Sequence, residues 1–138
     1  GVGLRLTTDF APTRLERASR KLAVLRHRQL SIAREERRAE LANDIANKYE
    51  AVHTSREQVQ LAAELVILME RSLAASREEF QVGAVSRTEL EAVWDRYEAA
   101  QMELETVQRQ YTLGRLQLLA AANSLLQSMG RRAEGCTP

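Results

Sequence analysis

The sequence predicts an all-α protein built as a long antiparallel coiled-coil helical hairpin, with a short strand-like segment at its N-terminus. Charged residues make up 28% of the chain and aromatic residues 4%, a composition typical of long helices and coiled coils. Apolar residues recur every seven positions in two long segments. Between these segments lies Gly83, the only glycine between Gly3 and Gly114, where the backbone is free to reverse.

Residues 1–12 are predicted to form the strand-like segment and a connector. Apolar residues alternate there with other residues, which is typical of a strand. They are Val2, Leu4 and Leu6. A lone strand leaves its backbone groups unpaired, so we expect it to pair with another copy or another chain. Pro12 is expected to stop the next helix from extending upstream, and Thr13 to cap that helix.

Residues 13–130 are predicted to form the hairpin, with a helix over about 13–81, a turn over 82–86 and a helix over about 87–129. Residues seven apart in the first helix are Ile45, Val52, Val59, Val66, Leu73 and Phe80. Residues seven apart in the second are Leu90, Tyr97, Leu104, Tyr111, Leu118 and Leu125. A strict seven-residue repeat makes paired helices supercoil, and a short turn makes them antiparallel.

The intervening core positions of the repeat are filled less uniformly. In the first helix Ala62 and Met69 occupy them, whereas Lys48, Ser55 and Ser76 weaken the pattern. In the second helix they hold Val93, Ala100, Val107, Gly114 and Ala121. Six consecutive repeats in each helix still predict one continuous seam between them.

The turn itself carries two helix-end signals. Gly83 follows a helical run, where a glycine supplies the left-handed conformation that ends a helix. Ser86 and Glu89 have the spacing of a capping box, which begins the next helix. The sequence therefore predicts a helix end and a helix start within a few residues.

The two arms are predicted to be unequal in length. Counted outward from the turn, Met129 falls opposite roughly residue 40, so residues 13–38 have no predicted partner within the chain. This segment is basic, with nine Lys or Arg against three Glu from Arg14 to Arg38. It carries an apolar stripe formed by Leu15, Ala18, Leu22, Leu25 and Ile32. We expect another subunit, another chain or a fold-back to cover the stripe, and residues 131–138 to form a disordered tail.

The sequence offers no candidate catalytic or metal site. His27 and His53 are too far apart on one predicted helix to share a site. Cys136 is the only cysteine, so neither a disulfide framework nor a thiolate cluster is predicted. No phosphate-binding loop or dinucleotide-binding glycine pattern occurs. We therefore expect no enzyme activity, no metal and no small-molecule cofactor.

Membrane-spanning helices and nucleic-acid binding are not expected either. No stretch approaches 18 consecutive apolar residues, and no secretory signal opens the chain. The basic block could follow a phosphate backbone, but it contains no aromatic residue for base stacking and the net charge is only +1.

The segment 76–93 resembles the helical-hairpin tip of the outer-membrane efflux protein (TolC-like) family. That family shows an aromatic residue, a Val-Gly pair, a polar turn, and then an acid and an aliphatic residue that open the returning helix. The matching residues here are Phe80, Val82, Gly83, Thr88, Glu89 and Leu90. Residues 2–6 resemble the barrel strand that precedes the long helix, and residues 118–121 resemble part of the returning helix.

The resemblance implies a trimeric channel for efflux or type I secretion, with a periplasmic helical barrel below a membrane β-barrel. The hairpin would be part of the helical barrel and would dock a periplasmic adaptor (membrane fusion) protein, and through it an inner-membrane pump. The tip residues implied to bind this partner are Phe80, Gln81, Val82, Gly83, Ala84, Val85, Ser86, Arg87, Thr88 and Glu89.

The chain departs from the family pattern in its extent. It contains one strand–hairpin repeat where the family has two, so we expect other copies or a second repeat to complete the barrel. The implied location is the periplasm and outer membrane, with the signal peptide and most of the barrel outside this chain. The alternative is a soluble coiled-coil scaffold that recruits a partner through its basic N-terminal helix segment.

Overall fold

The structure is a computed structural model that describes the backbone of residues 2–134 and the side chains of residues 13–130. It contains two helices, α1 over Val2–Gln81 and α2 over Arg87–Glu134. The predicted all-α class is confirmed, and the turn occupies residues 82–86 as expected. The chain divides into two compact units, Gly1–Ala42 and Asn43–Pro138.

The second unit contains the helical hairpin, in which one arm of α1 packs against α2. Among the described residues, its buried hydrophobic side chains belong to two alanines and two larger aliphatic residues, Ala62, Leu73, Ala100 and Val107. Half-buried residues continue the same three-and-four spacing along both arms. In α1 they include Ile45, Val52, Val59, Val66 and Met69; in α2 they include Leu90, Val93, Tyr97, Leu104, Tyr111 and Leu118. These are the predicted heptad positions, so the seam is the one that the sequence indicates.

Gly114 shows the register of the two arms. A Cβ placed on this glycine would lie 3.4 Å from Cγ2 of Val52. Both residues occupy seam positions at similar distances from the turn, as an antiparallel hairpin requires. Lys48, a polar seam residue, forms an ion pair with Asp44 one helical turn earlier, which keeps its charge paired at the edge of the seam.

Phe80 departs from the predicted core. Its position continues the heptad of α1, but the side chain remains 40% exposed. The residue at the matching distance on the other side of the turn is Ser86, which precedes the first residue of α2. A serine at this position offers little apolar surface that could cover an aromatic ring.

The predicted strand over the first residues is wrong. α1 is helical from Val2, and Pro12 and Thr13 lie within it rather than at its start. A strand needs a partner for its backbone hydrogen bonds, whereas a helix forms them within the segment. Pro12 lacks an N–H and removes one such bond, but its fixed φ is compatible with a helix. The expected start at residue 13 is therefore too late.

The C-terminal end also differs from the prediction. α2 extends to Glu134 rather than to about residue 129, so the first half of the expected tail, residues 131–134, is helical. Ala133 and Glu134 are good helix formers, which favours this extension of α2. The remainder of the predicted tail, residues 135–138, lies outside the described residues.

The first unit is helical from Val2 to Ala42. Every described side chain of residues 13–37 is exposed, including the large aliphatic ones. The most exposed are Leu15 at 71% and Leu30 at 59%. The apolar stripe predicted for this segment therefore faces solvent.

Candidate partner-binding tip

The end of α1 is closed by a Schellman motif centred on Gly83. The Gly83 N–H donates to the carbonyl oxygen of Phe80 at 3.0 Å, and the Ala84 N–H donates to that of Glu79 at 2.8 Å. Gly83 has a φ of 75°, in the left-handed region that the motif requires and that other residues adopt at a cost. The glycine expected to reverse the chain thus does so by satisfying the last carbonyl groups of α1.

The start of α2 is closed by the predicted capping box. The Glu89 N–H donates to Oγ of Ser86 at 3.2 Å, and the Ser86 N–H donates to Oε2 of Glu89 at 2.7 Å. The Leu90 N–H donates to the Ser86 carbonyl at 3.1 Å, which is the first intrahelical bond. These reciprocal bonds satisfy backbone donors that the first turn of a helix otherwise leaves free.

The capping box lowers the pKa of the Glu89 carboxyl below its ordinary value of 4.5. The main cause is the hydrogen bond from the Ser86 N–H, and the second is the bond with the Ser86 hydroxyl. Both bonds favour the ionised carboxylate. The negative charge also lies in the first turn of α2, where the helix dipole stabilises it.

An aromatic cluster joins the two arms just below the turn. The guanidinium of Arg77, on α1, lies 5.0 Å from the ring centroid of Trp94, on α2. The indole Nε1–H of Trp94 donates to Oε1 of Glu98 at 2.7 Å, and its ring meets that of Tyr97 edge to face at 6.2 Å. A cation–π contact of this kind contributes about 0.5–1 kcal/mol at an exposed site. It adds a contact between the two arms beside the seam.

The ten residues predicted for the tip are consecutive and lie together on the turn and the helix ends beside it. Val82 is 80% exposed. Val85 is half-buried, and the remaining eight are exposed. Arg87 is held by Glu91 at 3.1 Å on its own helix. The heptad pattern does not single out the Arg77–Trp94 pair, although the two residues directly follow the seam positions Ser76 and Val93.

Other kinds of site find no support in the described part of the chain. Among those residues, no three His, Cys, Asp or Glu side chains are grouped so that they could hold a metal ion. Neither described helix has a segment long and apolar enough to cross a membrane.

Replacing Ser86 with alanine is expected to destabilise the hairpin by about 1 kcal/mol, because the Glu89 N–H loses its acceptor. The thermal midpoint, followed by circular dichroism, measures this loss. A Ser86→Thr variant keeps a hydroxyl acceptor and is the matched control. Equal losses in both variants would contradict a capping role for the hydroxyl.

The capping box also makes stability depend on pH. The pKa of the Glu89 carboxyl is lower in the folded state than in the unfolded state. The ionised carboxylate therefore stabilises the folded hairpin at pH values above the unfolded-state pKa, and this stabilisation is lost as pH falls through the folded-state pKa. We expect Glu89→Gln to flatten the fall of the thermal midpoint between about pH 5 and about pH 2. The matched control is Glu105→Gln, which removes an exposed carboxylate further along α2. Between the same pH values, the thermal midpoint of this variant should fall more steeply than that of Glu89→Gln.

Comparison with known proteins identifies the family. The family model described as outer membrane efflux protein matches residues 2–131. Searches of curated proteins and of solved structures found no match. The matched family consists of outer-membrane and periplasmic efflux channels, which generally work with adaptor and pump components. It is a family of transport proteins rather than enzymes, so the expectation of a non-enzymatic role is confirmed. With nearly its whole length matched, the chain belongs to the outer membrane efflux protein family.

Proposed function

We propose that the hairpin within Asn43–Pro138 forms part of the periplasmic wall of an efflux or type I secretion channel and docks an adaptor protein at its tip. Family membership supports the channel role, and the structure of the turn supports the docking role. The observation that carries the proposal is an exposed tip in which backbone hydrogen bonds close both helix ends.

The tip combines a defined shape with an accessible backbone. A Cβ placed on Gly83 would meet no atom within 4 Å, so a partner can approach the main chain closely there. Next to it, Val82 presents an aliphatic side chain that is 80% exposed. Defined geometry lowers the entropy lost on binding, and an exposed apolar side chain adds area that a partner can bury.

Two charged residues at the start of α2 already have partners. Arg87 forms its ion pair with Glu91, and the Glu89 carboxylate accepts the Ser86 N–H. A docking partner therefore meets a small surface formed by Val82, Gly83 and Ala84, next to which Arg87 and Glu89 are already paired. Such a surface suits the tip of another helical hairpin, and an adaptor coiled coil has this chemistry.

The mechanism we propose is geometric. Neighbouring hairpins pack side by side, their tips together form a ring, and opening slides one hairpin past the next. The adaptor would act by binding the ring in one of these arrangements more tightly than in the other, since a ligand shifts an equilibrium only through differential affinity.

Replacing Val82 with serine is expected to weaken adaptor binding by roughly tenfold, about 1.4 kcal/mol, because an exposed aliphatic contact is removed from the interface. Titration calorimetry between the full chain and its cognate adaptor measures this change. The free chain should keep its thermal midpoint, because Val82 contributes little to the hairpin core.

Leu126→Ser is the matched control, since Leu126 is 64% exposed and lies on α2 far from the turn. It should leave adaptor affinity within about twofold, or about 0.4 kcal/mol. Unchanged binding by Val82→Ser, or an equal loss in both variants, would refute docking through the tip.

A further inference from the structure

The formal charges of the chain are divided unevenly between its two units. Residues 1–42 contain ten Lys or Arg and five Asp or Glu, which gives a net charge of +5. Residues 43–138 contain ten Lys or Arg and fourteen Asp or Glu, which gives a net charge of −4. The overall charge of +1 conceals this separation. A negatively charged surface therefore attracts the first unit and repels the second.

The positive charge is concentrated near the start of the described side chains. Residues 14–28 contain six Lys or Arg and a single acidic residue, and all of these side chains are exposed. A shallow surface depression brings three of the cations beside two aliphatic side chains. Its lining residues are Arg20, Lys21, Val24, Leu25 and Arg28. This surface therefore offers positive charge and apolar area together.

Apolar residues form a stripe of about three helical turns beside these cations. The stripe consists of Leu15, Ala18, Leu22 and Leu25. Lys21 and Arg28 lie one turn before and one turn after Leu25, along one edge of the stripe. Arg26 lies one turn after Leu22, along the other edge. Basic residues beside an apolar stripe are typical of helices that lie in a membrane interface, where their long side chains reach the headgroups.

We propose that residues 13–28 of α1 bind the surface of an anionic phospholipid membrane. The helix lies parallel to the surface, its leucines enter the boundary between headgroups and acyl chains, and its cations contact the lipid phosphates. The same surface repels the acidic second unit, so the contact is confined to the basic segment. The hairpin tip takes no part in this contact, and no adaptor is needed for it.

A helical protein partner fits the stripe less well than a membrane does. At the same spacing of three and four, the stripe continues with Gln29, Ile32 and Glu36, so polar residues interrupt it after Leu25. A coiled coil needs an apolar seam over several heptads, whereas an interfacial helix needs a short apolar stripe joined to cations. Residues 13–42 contain no aromatic residue on which bases could stack, which argues against single-stranded nucleic acid.

The shortness of the stripe predicts that binding depends strongly on lipid charge. We expect the full chain to cosediment with vesicles of phosphatidylglycerol and phosphatidylcholine, but not with vesicles of phosphatidylcholine alone. Raising the ionic strength from about 0.1 M to about 1 M shortens the Debye length from about 10 Å to about 3 Å and should release the bound chain.

Removing positive charge from the basic segment tests the electrostatic part. The variant with Arg20→Gln, Lys21→Gln and Arg28→Gln should bind the mixed vesicles roughly a hundredfold more weakly, because each basic residue at an anionic surface contributes about fivefold. Glutamine forms helices nearly as well as arginine and lysine do, so the helical circular dichroism should be unchanged.

The matched control removes the same charge from the second unit. Arg56, Arg71 and Arg96 are exposed, and the variant with Arg56→Gln, Arg71→Gln and Arg96→Gln has the same net charge as the first variant. It should bind the vesicles within about threefold of the wild-type chain. Equal losses in the two variants would mean that net charge, and not the basic segment, governs binding.

A pair of leucine variants tests the apolar part. Leu25 belongs to the stripe and is 54% exposed, whereas Leu30 lies outside it and is 59% exposed. We expect Leu25→Gln to weaken vesicle binding by roughly tenfold, because one leucine no longer enters the interface. Leu30→Gln should change binding by no more than about twofold.

Tryptophan fluorescence locates the contact. Trp94 is the only tryptophan of the chain and belongs to the acidic unit, so vesicles with brominated acyl chains should leave its emission unchanged. Leu22→Trp places a second indole in the stripe, and the same vesicles should quench its emission. Quenching in the wild-type chain, or none in the variant, would contradict the proposed orientation.

Three further outcomes would overturn the proposal. One is equal binding to charged and to neutral vesicles, and another is equal binding by Leu25→Gln and Leu30→Gln. The third is a wild-type chain that binds no vesicles but self-associates or binds single-stranded nucleic acid through the basic segment, as shown by loss in the variant lacking its three cations. Vesicle binding is measured without an adaptor, so failure here is distinguishable from failure of tip docking.

Discussion

Replacing Leu73 with alanine is expected to lower the free energy of unfolding of the hairpin by about 3 kcal/mol. Leu73 is the most buried residue of the seam, at 3% exposure. Its loss removes apolar contacts and leaves a cavity that two helices can only partly close, since the helical backbones on both sides are stiff. Urea unfolding followed by circular dichroism, at one fixed protein concentration, measures the change.

Leu113→Ala provides the control for the same chemical change. Leu113 is 57% exposed on α2, and truncation there should cost no more than about 0.5 kcal/mol. A similar loss in both variants would mean that the seam identified here is not what stabilises the hairpin.

Replacing Gly83 with proline is expected to destabilise the hairpin by about 3 kcal/mol and to abolish adaptor docking. Proline cannot adopt the φ of 75° found at this position and has no N–H to donate to Phe80. Because the seam lies below the turn, both arms should keep most of their helicity at low temperature. Docking is therefore expected to suffer more than helix content.

The control for this change is Gly83→Asn. Asparagine enters the left-handed region at a smaller cost than other non-glycine residues, and it keeps the N–H. Nothing lies within 4 Å of the added Cβ, so the turn should form and adaptor binding should be largely retained. If the proline variant bound the adaptor as well as the asparagine variant, the shape of the turn would have no part in docking.

The arms and the turn could be predicted from the sequence because each depends on local pattern. Heptad spacing is a property of residues within one helix, and it specifies the buried face without knowledge of the partner. The turn is defined by residues two or three apart, such as Ser86 and Glu89, whose side chains complete hydrogen bonds with the nearby backbone. The heptad spacing and the capping residues can therefore both be recognised from residues close together in the sequence.

The errors arose where the outcome depends on a contact outside the segment. Alternation over the first six residues is compatible with a strand, but a strand requires a neighbour, and α1 is helical there. Phe80 continues a heptad, but its burial depends on the residue at the matching position across the turn. That residue is Ser86, the N-cap of α2. Arg77 and Trp94 were missed for a similar reason, since their contact joins two helices through side chains that lie beside the repeat.

The small number of buried side chains has a consequence for how the protein behaves in solution. The described part of the chain has four buried hydrophobic residues, two of which are alanine, and no side chain below 2% exposure. A two-helix seam of this kind contributes little stability by itself, so contacts with other molecules add substantially to it. By mass action, any partner that binds only the folded hairpin raises its apparent stability as concentration rises. Folding and assembly are thus linked, and the melting temperature becomes a function of how much protein is present.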